Sequence, residues 1–193
     1  MKNKVAAFVF KSRKFFAIAA YTIPIIIKSI LHSAASMQML IAGLIVVAAG
    51  IALRIYSAGY LLGRHIVTKV EAEHLCTFGP FAHVRNPLYI GNILIGLGAS
   101  IALNEWYGYA IILLNYIFMY LFIIPLEESF LQDKFGNDYI EYKNNIRRFV
   151  PRLKGYRSDT KVIFSFKKGF LSEKYYITIL LINFVSVYFL FVR

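Results

Sequence analysis

The sequence has few charged residues, a single cysteine and no cluster of metal-ligating side chains. Charged residues make up 17% of the 193 residues, too few to cover the surface of an ordinary soluble globule. The lone Cys76 excludes an internal disulfide framework and any site built from several cysteines. The four histidines and Cys76 show no spacing typical of metal ligands, so no metal site is expected.

Apolar residues, by contrast, are abundant. They account for 59% of the chain, and aromatic residues for 17%, which excludes a disordered chain. Many apolar and few charged residues together indicate an integral membrane protein. Five apolar segments are candidates to span the ~30 Å hydrocarbon core of a bilayer. They are residues 15–31, 37–62, 88–103, 106–126 and 175–192.

Basic residues are unevenly distributed between the two sides of these segments. The net charge is +12, and 19 of the 22 lysines and arginines lie within 1–14, 63–87 and 127–174. With the amino terminus in the cytoplasm, five spans place all three stretches there, in agreement with the positive-inside rule. Topology and anionic lipids therefore explain the positive charge better than nucleic acid does.

The sequence thus predicts an all-α, polytopic membrane protein of about five transmembrane helices with cytoplasmic connecting helices. We divide it into an N-terminal basic segment with the first span (1–36), a membrane core (37–152), and a basic linker with a C-terminal span (153–193). A cleaved signal peptide is the alternative for the first segment. Pro24 and Lys28 within its apolar run favour a membrane span.

Two groups of polar and aromatic residues lie next to predicted spans, where such residues are functional candidates. A helical hairpin joins the two groups and returns to the same side, so they can meet in space. The first group contains His74, Gly79-Pro80-Phe81, His83, Arg85-Asn86-Pro87, Tyr89 and Gly91. The second contains Glu127-Glu128, Phe135-Gly136, Tyr139, Tyr142 and Val150-Pro151-Arg152.

The side chains in these groups suit a zwitterionic ligand with a cationic centre. Arg85 presents a planar fork for a carboxylate or phosphate, and Glu127-Glu128 suits a cation. Tyr89 offers an aromatic face for stacking. S-adenosylmethionine combines an amino acid, a sulfonium and an aromatic base, so these residue types are compatible with it but do not identify it.

The order of these residues resembles the isoprenylcysteine carboxyl methyltransferase and phospholipid methyltransferase family. The stretch from Glu73-His74 to Gly91 is similar to one signature of that family, and the stretch from Glu127 to Pro151 is similar to the other. Because both halves occur in order around a hairpin, the resemblance is specific as a pair. Asn86 is a departure, since many members have histidine there, so a titrating group is absent at this position.

The resemblance implies a membrane-embedded methyltransferase that uses S-adenosylmethionine and a lipid-like or prenylated methyl acceptor. The catalytic candidates are Arg85, Glu127 and Glu128: Arg85 orients a carboxylate, and Glu127, Glu128 or a histidine accepts a proton if the acceptor is an amine. The cofactor pocket that it implies is lined by His74, Leu75, Gly79, Pro80, Arg85, Asn86, Tyr89, Gly91, Glu127 and Glu128. Carboxyl O-methylation and amine N-methylation both stay open, as does the oligomeric state.

Several alternatives compete with this interpretation. A nicotinamide-dependent membrane reductase related to sterol reductases is one, although the chain lacks extra polar segments to hold a dinucleotide. A non-catalytic membrane scaffold is another, against which the paired signature argues. Arg85 can be an interfacial anchor, and Tyr139, Tyr142 and Trp106 are expected in an interfacial aromatic belt. Gly91 and Gly96 either admit a ligand or let helices pack closely.

Overall fold

The computed structural model describes residues 19–20, 22–31, 36–62, 75–156 and 163–191. Within these ranges the chain is all helical and contains no β-strand, which confirms the predicted all-α class. The helices are α1 (Thr22–Leu31), α2 (Met37–Leu61), α3 (Pro87–Leu103), α4 (Trp106–Phe118), α5 (Ile124–Phe135), α6 (Asn137–Asn145) and α7 (Phe166–Phe191). A 3₁₀ turn at Gly79–Ala82 precedes α3, and a π-helical turn at Met119–Ile123 joins α4 to α5.

Two helices among the described residues are long and apolar enough to cross a membrane. They are α2, with 25 residues, and the continuous helix Trp106–Phe135, with 30 residues. Helix α7 is a third if Phe166–Lys174 and Tyr176–Phe189 are taken as one span. Helices α1 and α3 are apolar but shorter: the 17 residues of α3 rise only about 26 Å at 1.5 Å per residue. Two or three spans therefore meet the length criterion, and the predicted five are not confirmed.

Helix ends coincide with residues whose backbone preferences favour a break. Pro87 opens α3, at a position where its missing N–H would have no intrahelical partner. Asn104 has a positive φ of 54° directly after α3, a conformation that asparagine adopts more readily than most residues. Gly136 has a φ of 53° and separates α5 from α6; the missing Cβ removes the steric cost of that conformation.

The chain forms two compact units. The first consists of Met1–Ala49, Ile93–Glu127 and Tyr176–Arg193, as far as these are described. Its buried cluster contains Leu40, Ala102, Leu103 and Val187. At Gly98 the backbones of α2 and α3 touch, because an added Cβ would lie 2.6 Å from the Gly43 carbonyl oxygen.

A buried ion pair also stabilises the first unit. The Lys28 ammonium is fully buried and lies 2.9 Å from a carboxylate oxygen of Glu105. It also donates a hydrogen bond of 3.0 Å to the Leu103 carbonyl at the end of α3. The lysine thus binds one of the carbonyls that a helix C-terminus leaves without an intrahelical donor.

The second unit consists of Gly50–Asn92 and Glu128–Tyr175, as far as these are described. Its buried cluster is formed by Tyr139, Tyr142 and Ile146, with Leu75, Leu131, Phe135 and Tyr156 packed around it. The expectation that Tyr139 and Tyr142 lie in an interfacial belt is wrong, since they are only 1% and 3% exposed. Both rings point from the short helix α6 into the core. Trp106, in contrast, is 77% exposed.

Candidate functional site

Described members of the two groups of residues singled out in the sequence lie side by side in the second unit. Four backbone hydrogen bonds of 2.8–3.2 Å join residues 82–86 to residues 147–156. The donor–acceptor pairs are Arg85–Arg147, Asn86–Arg148, Arg152–His83 and Tyr156–Ala82. Backbone bonds of this kind fix register independently of side-chain identity. The end of the second group is thereby attached to the Arg85-Asn86 segment of the first.

At this junction Glu128 lies between two arginines. One of its carboxylate oxygens is 3.1 Å from Arg85 Nη2. Arg148 donates through Nε at 3.0 Å and through Nη2 at 2.7 Å, one bond to each oxygen, which is the bidentate geometry that a guanidinium favours. The side chain of Glu128 is 6% exposed, that of Arg85 10% and that of Arg148 30%. We call Arg85, Glu128 and Arg148 the arginine–glutamate cluster.

Two of the three guanidinium nitrogens of Arg85 have protein partners. Its Nη1 donates a hydrogen bond of 3.0 Å to the Lys143 carbonyl, and its Nη2 faces Glu128. Its Nε is buried and has no hydrogen-bond partner within the described part of the chain. A buried donor without an acceptor costs about 1–3 kcal/mol. The site therefore has one fixed N–H group suited to an acceptor oxygen of a ligand.

Arg148 is the member of this cluster that sequence reasoning misses. It lies in the basic stretch 127–174, where its immediate neighbour Arg147 has the same charge but an exposed side chain. Nothing in the order of residues distinguishes the two, because neither lies in a regular helix whose periodicity would assign a face. Only the tertiary arrangement shows that Arg148 binds Glu128.

Two glycines of the predicted cofactor set are tightly packed. Gly79 has a φ of 55°, and the ring of Tyr60 occupies the place that a Cβ would take. Gly91 faces the aliphatic part of Arg54 and the Gly50 carbonyl oxygen, which would lie 3.0 Å from an added Cβ. Both contacts explain the glycines by close packing, and their role in cofactor binding stays a prediction.

The remaining predicted residues occupy varied positions. Leu75 packs against the buried cluster of the second unit, and Pro80 lies in the 3₁₀ turn. Asn86 and Tyr89 are partly buried around the start of α3. Glu127 is partly buried in the first turn of α5 and belongs to the first unit. His74 lies outside the described residues.

Burial raises the pKa of two groups near this junction. Desolvation raises the pKa of the Cys76 thiol to about 11, although a backbone hydrogen bond from Phe78 opposes the shift. The pKa of Tyr142 is also raised, mainly by burial. The Tyr142 hydroxyl therefore acts as a donor, and it donates a hydrogen bond of 2.7 Å to the Phe81 carbonyl. Among the described residues, no group of three His, Cys, Asp or Glu side chains is placed to hold a metal ion.

The sequence model of the phospholipid methyltransferase family matches residues 32–138, more than half of the chain. The chain belongs to this family. Family membership confirms the resemblance drawn from the two signatures, and together with the apolar helices it indicates a membrane protein. The matched region ends before Arg148, so that one of the three residues of the arginine–glutamate cluster lies outside it.

The chain is also similar to curated proteins over about half of its length. The chain is 34% identical over 112 residues to the cobalt-zinc-cadmium resistance protein CzcN of Cupriavidus metallidurans, an alignment that covers 55% of this chain and 46% of the relative. It is 27% identical over 97 residues to the protein-S-isoprenylcysteine O-methyltransferase of Schizosaccharomyces pombe, covering 50% and 41%. It is 28% identical over 107 residues to the Saccharomyces cerevisiae protein of the same name, again covering 50% and 41%. The chain thus spans about half the length of these relatives or less, and no solved structure matches it.

Proposed function

We propose that this protein is an integral membrane methyltransferase that uses S-adenosylmethionine to methylate a lipid-like acceptor at the cytoplasmic boundary of the bilayer. Family membership and the similarity to two isoprenylcysteine O-methyltransferases support the reaction class. The observation that carries the proposal is the arginine–glutamate cluster. It brings Arg85 of the first signature and Glu128 of the second within 3.1 Å, together with a buried donor that has no protein acceptor among the described residues.

The residues present fit an S-adenosylmethionine site. The free Nε donor of Arg85 suits a carboxylate oxygen, and the partly buried ring of Tyr89 suits stacking on an aromatic base. The other residues that we propose to line this site are His74, Leu75, Gly79, Pro80, Asn86, Gly91, Glu127 and Glu128. Bound S-adenosylmethionine supplies an electrophilic methyl group on its sulfonium. The contribution of the chain is to align the acceptor with this methyl group and to exclude water.

We assign different roles to the three proposed catalytic residues. Both carboxylate oxygens of Glu128 accept hydrogen bonds from arginine, so Glu128 holds Arg85 and Arg148 in position. Arg85 binds and orients a carboxylate. Glu127 is the carboxylate next in sequence and is partly exposed, so it takes the proton if the acceptor is an amine. A carboxylate acceptor is already ionised at neutral pH and needs no base.

Binding of S-adenosylmethionine by the purified full chain in detergent tests the proposal. Arg85→Ala should weaken binding by about 2–5 kcal/mol, because it removes a buried charged contact. Glu128 keeps its bidentate partner Arg148 in this variant, so the fold should persist. Arg147→Ala removes the same charge from an exposed neighbour and is the matched control.

If Arg85→Ala binds S-adenosylmethionine with normal affinity, the alternative that Arg85 is an interfacial anchor is favoured. The absence of binding by the unmodified protein would overturn the proposal as a whole. If the unmodified protein does bind S-adenosylmethionine, labelled methyl transfer to membrane lipids or to a prenylated carboxylate would identify the acceptor.

We further propose that the chain has five spans with its amino terminus in the cytoplasm. Accessibility labelling that places Leu75→Cys and Asp138→Cys on opposite sides of the membrane would contradict this topology.

A further inference from the structure

A second buried charge cluster lies in the second unit, away from the arginine–glutamate cluster in sequence. Arg54 of α2 donates through Nε and Nη2 to the same carboxylate oxygen of Glu173 in α7, at 2.9 and 2.7 Å. The two side chains are 16% and 9% exposed. Ionisable groups on apolar helices are costly and usually functional. The proposed methylation does not by itself require this pair.

The third nitrogen of Arg54 reaches the start of α3. Nη1 donates to the Leu88 carbonyl at 3.3 Å and to the side-chain oxygen of Asn92. Leu88 and Asn92 lie on either side of Tyr89 and Gly91 in the sequence, and Gly91 packs directly on the aliphatic part of Arg54. One arginine therefore fixes the turn of α3 that carries two proposed cofactor residues.

Glu173 can hold Arg54 because its segment is firmly attached to α2. The Ser165 N–H donates a hydrogen bond of 3.1 Å to the Gly59 carbonyl. A Cβ at Gly169 would lie 2.8 Å from the Gly59 nitrogen, so the two backbones are in contact. The Phe164 ring packs on Gly59 and lies 4.9 Å from the Tyr60 ring, centroid to centroid. All of these contacts involve residues beyond 138, where the family match ends.

We propose that Glu173 is a positioning residue for the S-adenosylmethionine site, acting through Arg54 on the first turns of α3. The inference rests on the proposed function. A glutamate that binds two nitrogens of one guanidinium restricts its rotation, and the remaining nitrogen is then aimed at Leu88 and Asn92. Without Glu173, Arg54 keeps its charge but loses its orientation, and the turn that carries Tyr89 is no longer fixed.

The test compares Glu173→Ala, Glu173→Asp and Asn92→Ala with the unmodified full chain in detergent. Glu173→Ala should raise the Kd and KM for S-adenosylmethionine on the order of tenfold, since small misplacements of a supporting element commonly cost this much. The kcat at saturating cofactor should change less than about twofold. Glu173→Asp should recover part of the affinity. Lys174→Gln changes the charge of the exposed next residue and is the control.

Asn92→Ala separates positioning from simple stability. It leaves the Arg54–Glu173 pair intact and removes one contact of Arg54 with α3, so it should raise the Kd in the same direction. It also provides the test if Glu173→Ala does not fold. An unchanged Kd in both variants, with only a lower Tm, would overturn the inference and leave the proposed function standing. If the unmodified protein binds no S-adenosylmethionine, the proposed function fails and this inference fails with it.

Discussion

Replacement of Glu128 by glutamine tests whether charge holds the arginine–glutamate cluster together. One carboxylate oxygen lies 3.0 Å from Arg148 Nε and 3.1 Å from Arg85 Nη2, and the other lies 2.7 Å from Arg148 Nη2. Glutamine keeps the size of the side chain but turns one oxygen into an NH₂ donor. In either orientation of the amide, this donor faces a guanidinium donor. The variant therefore loses at least one hydrogen bond and the ionic attraction.

The exposure of the two arginines sets the size of the effect. Removing one partner of a buried ion pair costs about 3–5 kcal/mol, because the other charge stays buried. Arg85 is 10% exposed and meets this condition, whereas Arg148 is 30% exposed and can regain water. Exposed pairs contribute only about 0–1 kcal/mol. We therefore expect Glu128→Gln to lower the free energy of unfolding by about 2–4 kcal/mol.

Chemical unfolding in detergent, followed by circular dichroism, measures this loss. Glu141→Gln is the matched control, because Glu141 is exposed and accepts a hydrogen bond of 3.2 Å from the Tyr156 hydroxyl at the surface. The control should lose less than about 1 kcal/mol. Equal losses in the two variants would refute the view that the cluster is a buried ionic centre.

Three further predictions concern single contacts. Tyr142→Phe should destabilise the protein by about 1–2 kcal/mol in the same assay, since it leaves the buried Phe81 carbonyl without the donor seen at 2.7 Å; no change would mean that the carbonyl finds another donor. Gly98→Ala should cost about 1–3 kcal/mol, because its Cβ would collide with the Gly43 carbonyl, and unchanged stability would show that α2 and α3 separate easily. Because the pKa of Cys76 is raised to about 11, its alkylation rate should still be rising steeply at about pH 10.5, where a thiol with an ordinary pKa is fully ionised. A plateau near pH 10 would contradict the burial of the thiol.

Hydropathy was sufficient to predict the helical class, because long apolar runs can satisfy their backbone in a membrane only as helices or closed barrels. The number of spans was harder to predict. Residues 88–103 carry no charge, yet α3 is too short to meet the criterion by length. Composition cannot distinguish a short span from an apolar helix packed inside the protein, since both exclude charge.

The proximity of Arg85 and Glu128 was predictable in outline, because the sequence predicts a helical hairpin between them. The partners that the C-terminal part supplies to buried charges were not predictable from the sequence. Glu173 lies among basic residues just before an apolar run. Such a charged stretch is typical of a helix end that is exposed to water, so the sequence gives no reason to expect a buried glutamate there. Tyr142 lies on a short polar helix, α6, where an aromatic residue fits an interfacial belt as well as a core. Which face of such a helix is buried depends on tertiary packing that local sequence does not encode.

Residues that follow the family match make contacts with residues inside it. The family match ends at residue 138, but the second unit is completed by later residues. Arg148 binds Glu128, the Tyr156 N–H binds the Ala82 carbonyl, and Glu173 binds Arg54. Each of these contacts ends on a residue inside the matched region. The C-terminal part therefore supplies side-chain and backbone partners to buried polar groups of the matched region, among them the carboxylate that pairs with Arg54.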